Sequence, residues 1–251
     1  MGGAVNHYNL GFISDVDLFN HVKDTVEQYR FDIDLKGFNK NLIDPIKLTF
    51  DSLVYSMEIE EIVKNEVLRQ IDKSNTNQIG YFHQNIFKYI GEGWNVPKTG
   101  FDVIHAENHY FVEMKNKHNT MNSASSQKTY MKMQSKLLED DEAVCLLVEV
   151  IAKASQDKTW QISLDGKNIK NKRIKRVSMD KFYELVTGDG LAFKKLCEAL
   201  PSVLEDVVTQ RVITQSSDTV ITELNLLSNN PLKSLYLLAF SHYEGFDEFN
   251  V

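Results

Sequence analysis

The sequence predicts an α/β protein: a central mixed β-sheet flanked by helices, with helical additions at the N- and C-terminal ends. Three observations carry that prediction. Helical periodicity dominates roughly the first 75 residues, period-two alternation and one nearly continuous apolar run take over between about 100 and 177, and the helical pattern returns from Leu191.

Taken in order, Ser14 with Asp17 three residues on caps a helix running to about Arg30. Asp44-Pro45 is a second start signal, an acidic cap followed by proline at the first helical position, and Ile46, Phe50, Leu53 and Val54 continue that helix. Ile59, Ile62, Val63, Val67 and Leu68 form one stripe of a helix over about 58–71. The polar run Lys73-Ser74-Asn75-Thr76-Asn77 predicts a break before another helix at about 78–90. After Gly91-Glu92-Gly93 the alternation predicts strands at 101–106 and 109–115. A polar segment, 116–127, leads into a helix at about 126–138. The acidic turn 139–142 precedes AVCLLVEVI (143–151), apolar enough for a strand covered on both faces. Shorter strands are expected at 160–164 and 174–177. Ser178 caps a helix to about Val186, which Gly188-Asp189-Gly190 ends, and the helical remainder is interrupted by Pro201 and Pro231. This suggests a helical region at 1–75, a core at 76–190 and a helical region at 191–251, packed as one compact domain.

A chain of 251 residues with 42% hydrophobic and 25% charged residues can bury a substantial core. No apolar run approaches the roughly 18 residues that span a membrane, and the N-terminus lacks a signal-peptide pattern, so no membrane partner is expected. Cys145 in an apolar strand and Cys197 in a helix read as reduced core residues, which favours a cytoplasmic setting. No zinc-type cluster, P-loop or Rossmann glycine pattern is present. The net charge of −7 conceals a basic block: residues 113–181 carry 14 Lys/Arg against 9 Asp/Glu, a net of +5, so the flanks hold the remaining −12. A basic middle between acidic ends suggests a localised polyanion-binding face.

The chemistry lies in FDVIHAENHYFVEMK, residues 101–115. If Glu107-Asn108 tip a tight hairpin, cross-strand partners have numbers that sum to 215. Asp102 then faces Glu113, with Lys115 on the same side, and directly paired Cβ atoms stand about 4.5–5.5 Å apart. Two carboxylates that close repel each other, and a divalent cation relieves the repulsion. Hard oxygens suit Mg²⁺, so Asp102 and Glu113 are the candidate metal ligands, with a carbonyl such as that of Met114 completing the shell. Lys115, beside a metal-bound water, would orient or deprotonate it and stabilise developing negative charge, as phosphodiester hydrolysis requires. Glu113-Met114-Lys115 is the only E-x-K triplet in the chain. An exposed structural Asp–Lys–Glu cluster on a sheet edge is the alternative.

The neighbouring residues point to a polyanion. No acid lies between Glu113 and Glu139, while Lys115, Lys117, His118, Lys128, Lys132 and Lys136 do. Lys128, Lys132 and Lys136 recur every four residues and line one side of a helix, which suits a phosphate backbone. Asn116, Asn119, Thr120, Asn122 and Ser123 supply short hydrogen-bonding groups; asparagine can read adenine bidentately and Lys117 can address guanine. Segment 116–123 and the basic region Lys167–Arg176 are therefore the candidate specificity regions, with simple backbone attraction the favoured reading of the second. A flexible polar loop followed by an ordinary cap is the alternative.

Asp102, ten intervening residues and Glu113-Met114-Lys115 resemble the D…E-x-K signature of the PD-(D/E)XK nuclease superfamily. FVEMKNKHNTMNSASSQKTYMKMQ, with NQIGYFHQNIF and GWNVPKTGFDV upstream, is similar to type II restriction endonucleases, and among them to the subgroup cutting GGNCC-type DNA sites. The resemblance covers about residues 76–136. It implies a restriction-endonuclease-like sheet, Mg²⁺ held by Asp102 and Glu113, Lys115 as the catalytic lysine, double-stranded DNA as substrate and a two-fold homodimer with one active site per strand. Phe101 stands where the superfamily name has proline. Gln84, in Gly80-x-x-x-Gln84, occupies the place where related nucleases often carry a glutamate; it is retained as an uncharged catalytic candidate, with Glu66 as a fallback and His83 as a packing histidine. A structure- or damage-specific repair nuclease and a non-catalytic DNA-binding protein are the rival readings.

Overall fold

A computed structural model describes residues 7–164, 166–210 and 218–241. The elements run α1 (Asp15–Glu27), α2 (Leu35–Asn39), α3 (Pro45–Tyr55), α4 (Ile59–Asn85), a 3-10 turn (Ile86–Lys88), β1 (Trp94–Asn95), β2 (Val103–His105), β3 (Tyr110–Lys117), α5 (Ser123–Glu139), β4 (Val144–Ile151), β5 (Asp157–Leu164), β6 (Lys167–Ser178), α6 (Met179–Thr187), α7 (Ala192–Thr209), α8 (Val220–Leu227) and α9 (Pro231–Phe240). They divide into two compact units, one of Met1–Glu27 with Ile79–Val212 and one of Gln28–Gln78 with Ile213–Val251.

The first unit holds a six-stranded sheet of order β1-β2-β3-β4-β6-β5. Its outer pairs are antiparallel, and β4 lies parallel to both β3 and β6, so the sheet is mixed. Alternation along β4 sends Leu146 and Val148 to one face and Cys145 and Leu147 to the other, all of them buried. The first face packs against Leu18, Phe82, Ile86, Phe182 and Tyr183. The second packs against Tyr130, Met133 and Leu137 of α5 with Trp160 and Ile162 of β5. Each such side chain contributes about 1.5–3 kcal/mol relative to exposure. Val112 and Met114 join the first core, which turns Glu113 and Lys115 toward the α5 face.

The elements of the second unit, among its described residues, are helices. Their core is Ile33, Phe38, Leu48, Ile62, Val63 and Val67 with Val220, Leu224 and Leu235. Asp44 caps α3 by accepting from the backbone N–H groups of Ile46 and Lys47, and Asn230 does the same for Leu232 and Lys233 ahead of Pro231.

Several expectations need correction. α4 continues unbroken through Lys73–Asn77. None of these residues is glycine or proline, each costs at most about 0.7 kcal/mol in propensity, and extending a helix is far cheaper than nucleating one. Pro201 lies inside α7 rather than interrupting it, because one lost hydrogen bond is offset by burial of Leu196, Val203 and Val207. Pro231 opens α9. Leu68 is 63% exposed, so the buried stripe of α4 is narrower than its apolar pattern. Cys145 is buried but Cys197 is exposed, and both are free thiols. The expected C-terminal helical region extends over 211–217 and 242–251, which lie outside the described residues.

Candidate active site

The hairpin keeps the predicted register. Val103 pairs with Val112, Ile104 with Phe111 and His105 with Tyr110, each pair summing to 215. Glu107 and Asn108 form the tip, closed by a hydrogen bond from His109 N–H to the Ala106 carbonyl at 3.3 Å. The strands are 103–105 and 110–117 rather than 101–106 and 109–115. β2 stops at Val103 because Asp102 leaves the ladder halfway. Its N–H still donates to the Val112 carbonyl at 2.9 Å, but its carboxylate Oδ2, not its backbone, accepts from Met114 N–H at 2.7 Å. The aspartate is thereby fastened beside the middle residue of the E-x-K triplet.

Glu113 is only 8% exposed, so the exposed edge cluster of the alternative reading does not describe it. Lys115 Nζ stands 3.8 Å from Glu113 Oε2. A second ammonium, that of Lys132 on α5, contacts Glu113 Oε1, donates to the Gly100 carbonyl at 2.7 Å and lies 4.4 Å over the Phe101 ring. One buried carboxylate therefore meets two cations.

The three lysines of α5 do not act as one row. Lys128 is exposed, Lys132 turns to Glu113, and Lys136 lies 4.5 Å over the Phe111 ring and 3.7 Å from Glu139. The predicted base-reading segment is structured. Asn116 and Lys117 end β3, His118 N–H donates to the Ile151 carbonyl at 3.1 Å, and Thr120 Oγ1 donates to the Lys117 carbonyl at 2.8 Å. Asn122 caps α5 by accepting from Ser125 N–H at 2.9 Å, and Ser123 is its first residue. Lys117, Asn119, Thr120, Asn122 and Ser123 are exposed. Lys167–Arg176 forms most of β6, paired with β5 along much of its length and with β4 only from Ile174 onward.

Gly80 of α4 lies beside Asn116 of β3, where a Cβ would make an ordinary contact at 3.5 Å with the Asn116 amide. Gln84, one turn on along the same side, is half-buried and makes no hydrogen bond to Asp102, Glu113 or Lys115. Burial works against ionisation of Glu66, but hydrogen bonds from Arg69 and Gln70 hold its pKa below the usual range, so that carboxylate is already committed. His83 is a packing residue. Its Nδ1 is buried without a partner, and burial, with the nearby His21, pushes its pKa down to about 4.

Two residues of this face fall outside the predicted catalytic set. Lys115 pairs in register with Glu149 of β4, which is fully buried. Arg176 Nε donates to Glu149 Oε1 at 2.8 Å, and its Nη2 donates to the His118 carbonyl at 2.9 Å. The pair ties β4 and β6 to the start of the 118–122 segment. Its signal in the sequence is a single glutamate inside the apolar run 143–151.

Among the described residues no group of three His, Cys, Asp or Glu side chains is placed to hold a metal. An ion between Asp102 and Glu113 would therefore draw further oxygens from water and the backbone. The Met114 carbonyl faces the same sheet edge as its N–H, where β2 has already ended.

A mixed sheet flanked by helices, with two carboxylates and a lysine gathered at the end of its central hairpin, belongs to the restriction-endonuclease-like class of α/β fold. The Eco47II restriction endonuclease family model matches residues 10–209. The chain is 33% identical over 230 residues to the type II restriction enzyme Sau96I of Staphylococcus aureus, spanning 86% of this chain and 87% of that enzyme. It is 29% identical over 216 residues to the type II restriction enzyme Eco47II of Escherichia coli, spanning 81% and 90% respectively. The chain belongs to the Eco47II restriction endonuclease family and is a type II restriction enzyme, a site-specific deoxyribonuclease.

Proposed function

We propose that the enzyme hydrolyses double-stranded DNA at short GGNCC-type sites, with Asp102 and Glu113 as Mg²⁺ ligands and Lys115 as the catalytic lysine of a PD-(D/E)XK centre. The observation that carries this is the buried Glu113 carboxylate, 3.8 Å from the Lys115 ammonium and adjacent in β3 to Met114, whose N–H holds the Asp102 carboxylate. The donor set fits a hard cation. Glu113 already has a positive charge, that of Lys132, on one oxygen, and Asp102 spends only Oδ2 on Met114 N–H. When bound, Mg²⁺ would supply Lewis-acid charge stabilisation and a more acidic water.

The chain's own residues do the rest. Met114 N–H fixes the orientation of Asp102, and the core beneath β3 fixes Glu113. Lys115 donates toward the attacked phosphate as negative charge grows there and orients the attacking water. Gln84, uncharged, would serve only to orient water. Asn116, Lys117, His118, Asn119, Thr120, Asn122 and Ser123 supply base and backbone contacts, with Lys128 and Lys132 on the phosphate side. A site that is nearly palindromic suits a two-fold homodimer, and the protein would act in the cytoplasm within a restriction-modification pair.

The test is to incubate the pure protein with unmethylated phage DNA and Mg²⁺ and to sequence the fragment ends. Discrete fragments ending at GGNCC sites are expected. A smear would favour a structure- or damage-specific nuclease, and binding without any cutting would favour a non-catalytic role.

A further inference from the structure

Within the acidic flanks of the chain the described residues hold a basic cluster. In the second unit a cavity of about 450 Å³ is lined by four cations, Arg30, Lys36, Lys40 and Lys73, against one acid, Asp34. Asp34 is already engaged, since its Oδ1 accepts from Gly37 N–H at 2.7 Å. None of the four cations makes an ion pair with any described residue. The other walls are hydrogen-bonding or small, with no apolar side chain among them. Unpaired cations gathered around a polar cavity repel one another until an anion enters.

Arg30 is held in place for such an anion. Asn75 on α4 accepts from its backbone N–H at 2.8 Å and donates to its carbonyl at 3.1 Å, while Arg30 Nε donates to the Asp32 carbonyl at 2.9 Å. Gly37 leaves the room the guanidinium occupies, because a Cβ there would stand 2.6 Å from Nη2. A planar fork fixed in this way is pre-organised for phosphate oxygens. The polar run at 73–77 thereby acquires a role: Lys73, Ser74 and Asn77 form one wall of the cavity.

We propose that this cavity binds backbone phosphates of duplex DNA and contributes affinity without base preference, an inference that rests on the DNA-cleaving reading of the first unit. Four cations against one acid exceed what a single phosphate monoester of about −1.5 to −2 neutralises, which favours successive phosphates of a polymer.

The experiment is fluorescence anisotropy of the full chain with cognate and scrambled duplexes in EDTA across a range of salt. Lys40→Ala and Lys73→Ala are compared with Lys64→Ala, which removes the same charge from an exposed position of α4 outside the cavity. Each cavity variant should weaken both duplexes alike and reduce the salt slope by about 1, while Lys64→Ala matches wild type. Single-turnover cleavage at saturating protein should be unchanged in all three. Cavity variants that bind with the affinity and slope of Lys64→Ala would overturn the proposal. Binding of inorganic phosphate that is lost in Lys73→Ala, with an unaltered duplex slope, would overturn it in favour of a small-anion site. Wild-type protein that neither binds nor cuts duplex DNA would instead remove the reading on which the inference rests.

Discussion

The ammonium of Lys132 rests on the carboxylate of Glu113, a buried glutamate that also faces Lys115. Helix α5 thus delivers a cation to the carboxylate that would bind metal. In the metal-free protein that cation offsets the cost of keeping an ionised group out of water.

Lys132→Ala should therefore lower metal-free stability by about 1–2 kcal/mol, since one partner of a buried charge is lost. Mn²⁺ should then raise the melting temperature of the variant more than that of wild type. Equal Mn²⁺ shifts in a thermal melt would show that Lys132 does not share the carboxylate with metal.

The hydrogen bond from Met114 N–H to Asp102 separates structure from chemistry at that residue. Asp102→Asn retains an acceptor and should fold with near wild-type stability, whereas Asp102→Ala should lose about 1 kcal/mol. Both should lose cleavage by on the order of 10²-fold or more, as expected for removal of charge stabilisation at a reacting centre. Urea melts and initial rates on one plasmid substrate measure the two effects separately.

Arg176→Met leaves Glu149 buried without its cation, with only the Gln156 amide at 3.4 Å still donating to it, and should destabilise by about 3 kcal/mol. Adding Glu149→Gln should recover part of that loss, because the two side chains are in direct contact. Urea unfolding of the two singles and the double closes the cycle, and strict additivity would contradict the coupling.

His83, with a folded pKa of about 4, gives the stability a predictable acid limb. Its unfolded value is near 6.5, so between these pH values the unfolded chain binds more protons. Stability from this group is complete above about pH 6.5 and falls as pH drops toward 4, by roughly 2–3 kcal/mol. His83→Leu should flatten the dependence of melting temperature on pH over that window, with little change in the fall below it.

The hairpin and the central strand β4 were legible because their signals are local, whereas β1 and the first half of β6, which reads as a basic region, were not. Alternation at 101–115 and a tip at Glu107-Asn108 fix a register in which a one-residue slip would invert every side chain, and the strand partners agree with it. What the sequence hides depends on packing between distant segments. Lys132 and Lys136 have the spacing of a solvated row, yet Glu113 and the rings of Phe101 and Phe111 claim them. Arg176 looks like one more cation of a basic run until β6 sets it beside Glu149. The polar run at 73–77 resembles a linker, because nothing local announces that Asn75 will clasp Arg30.

The central claim is that the Glu113 carboxylate and the Lys115 ammonium, 3.8 Å apart, form one catalytic centre with Asp102. The most direct measurement is the single-turnover cleavage rate of Glu113→Gln on unmethylated cognate DNA with Mg²⁺, taken at protein concentrations where anisotropy shows the duplex fully bound. Cleavage reduced by on the order of 10³-fold or more with binding retained is the predicted result. Cleavage within a few-fold of wild type at full occupancy would contradict it.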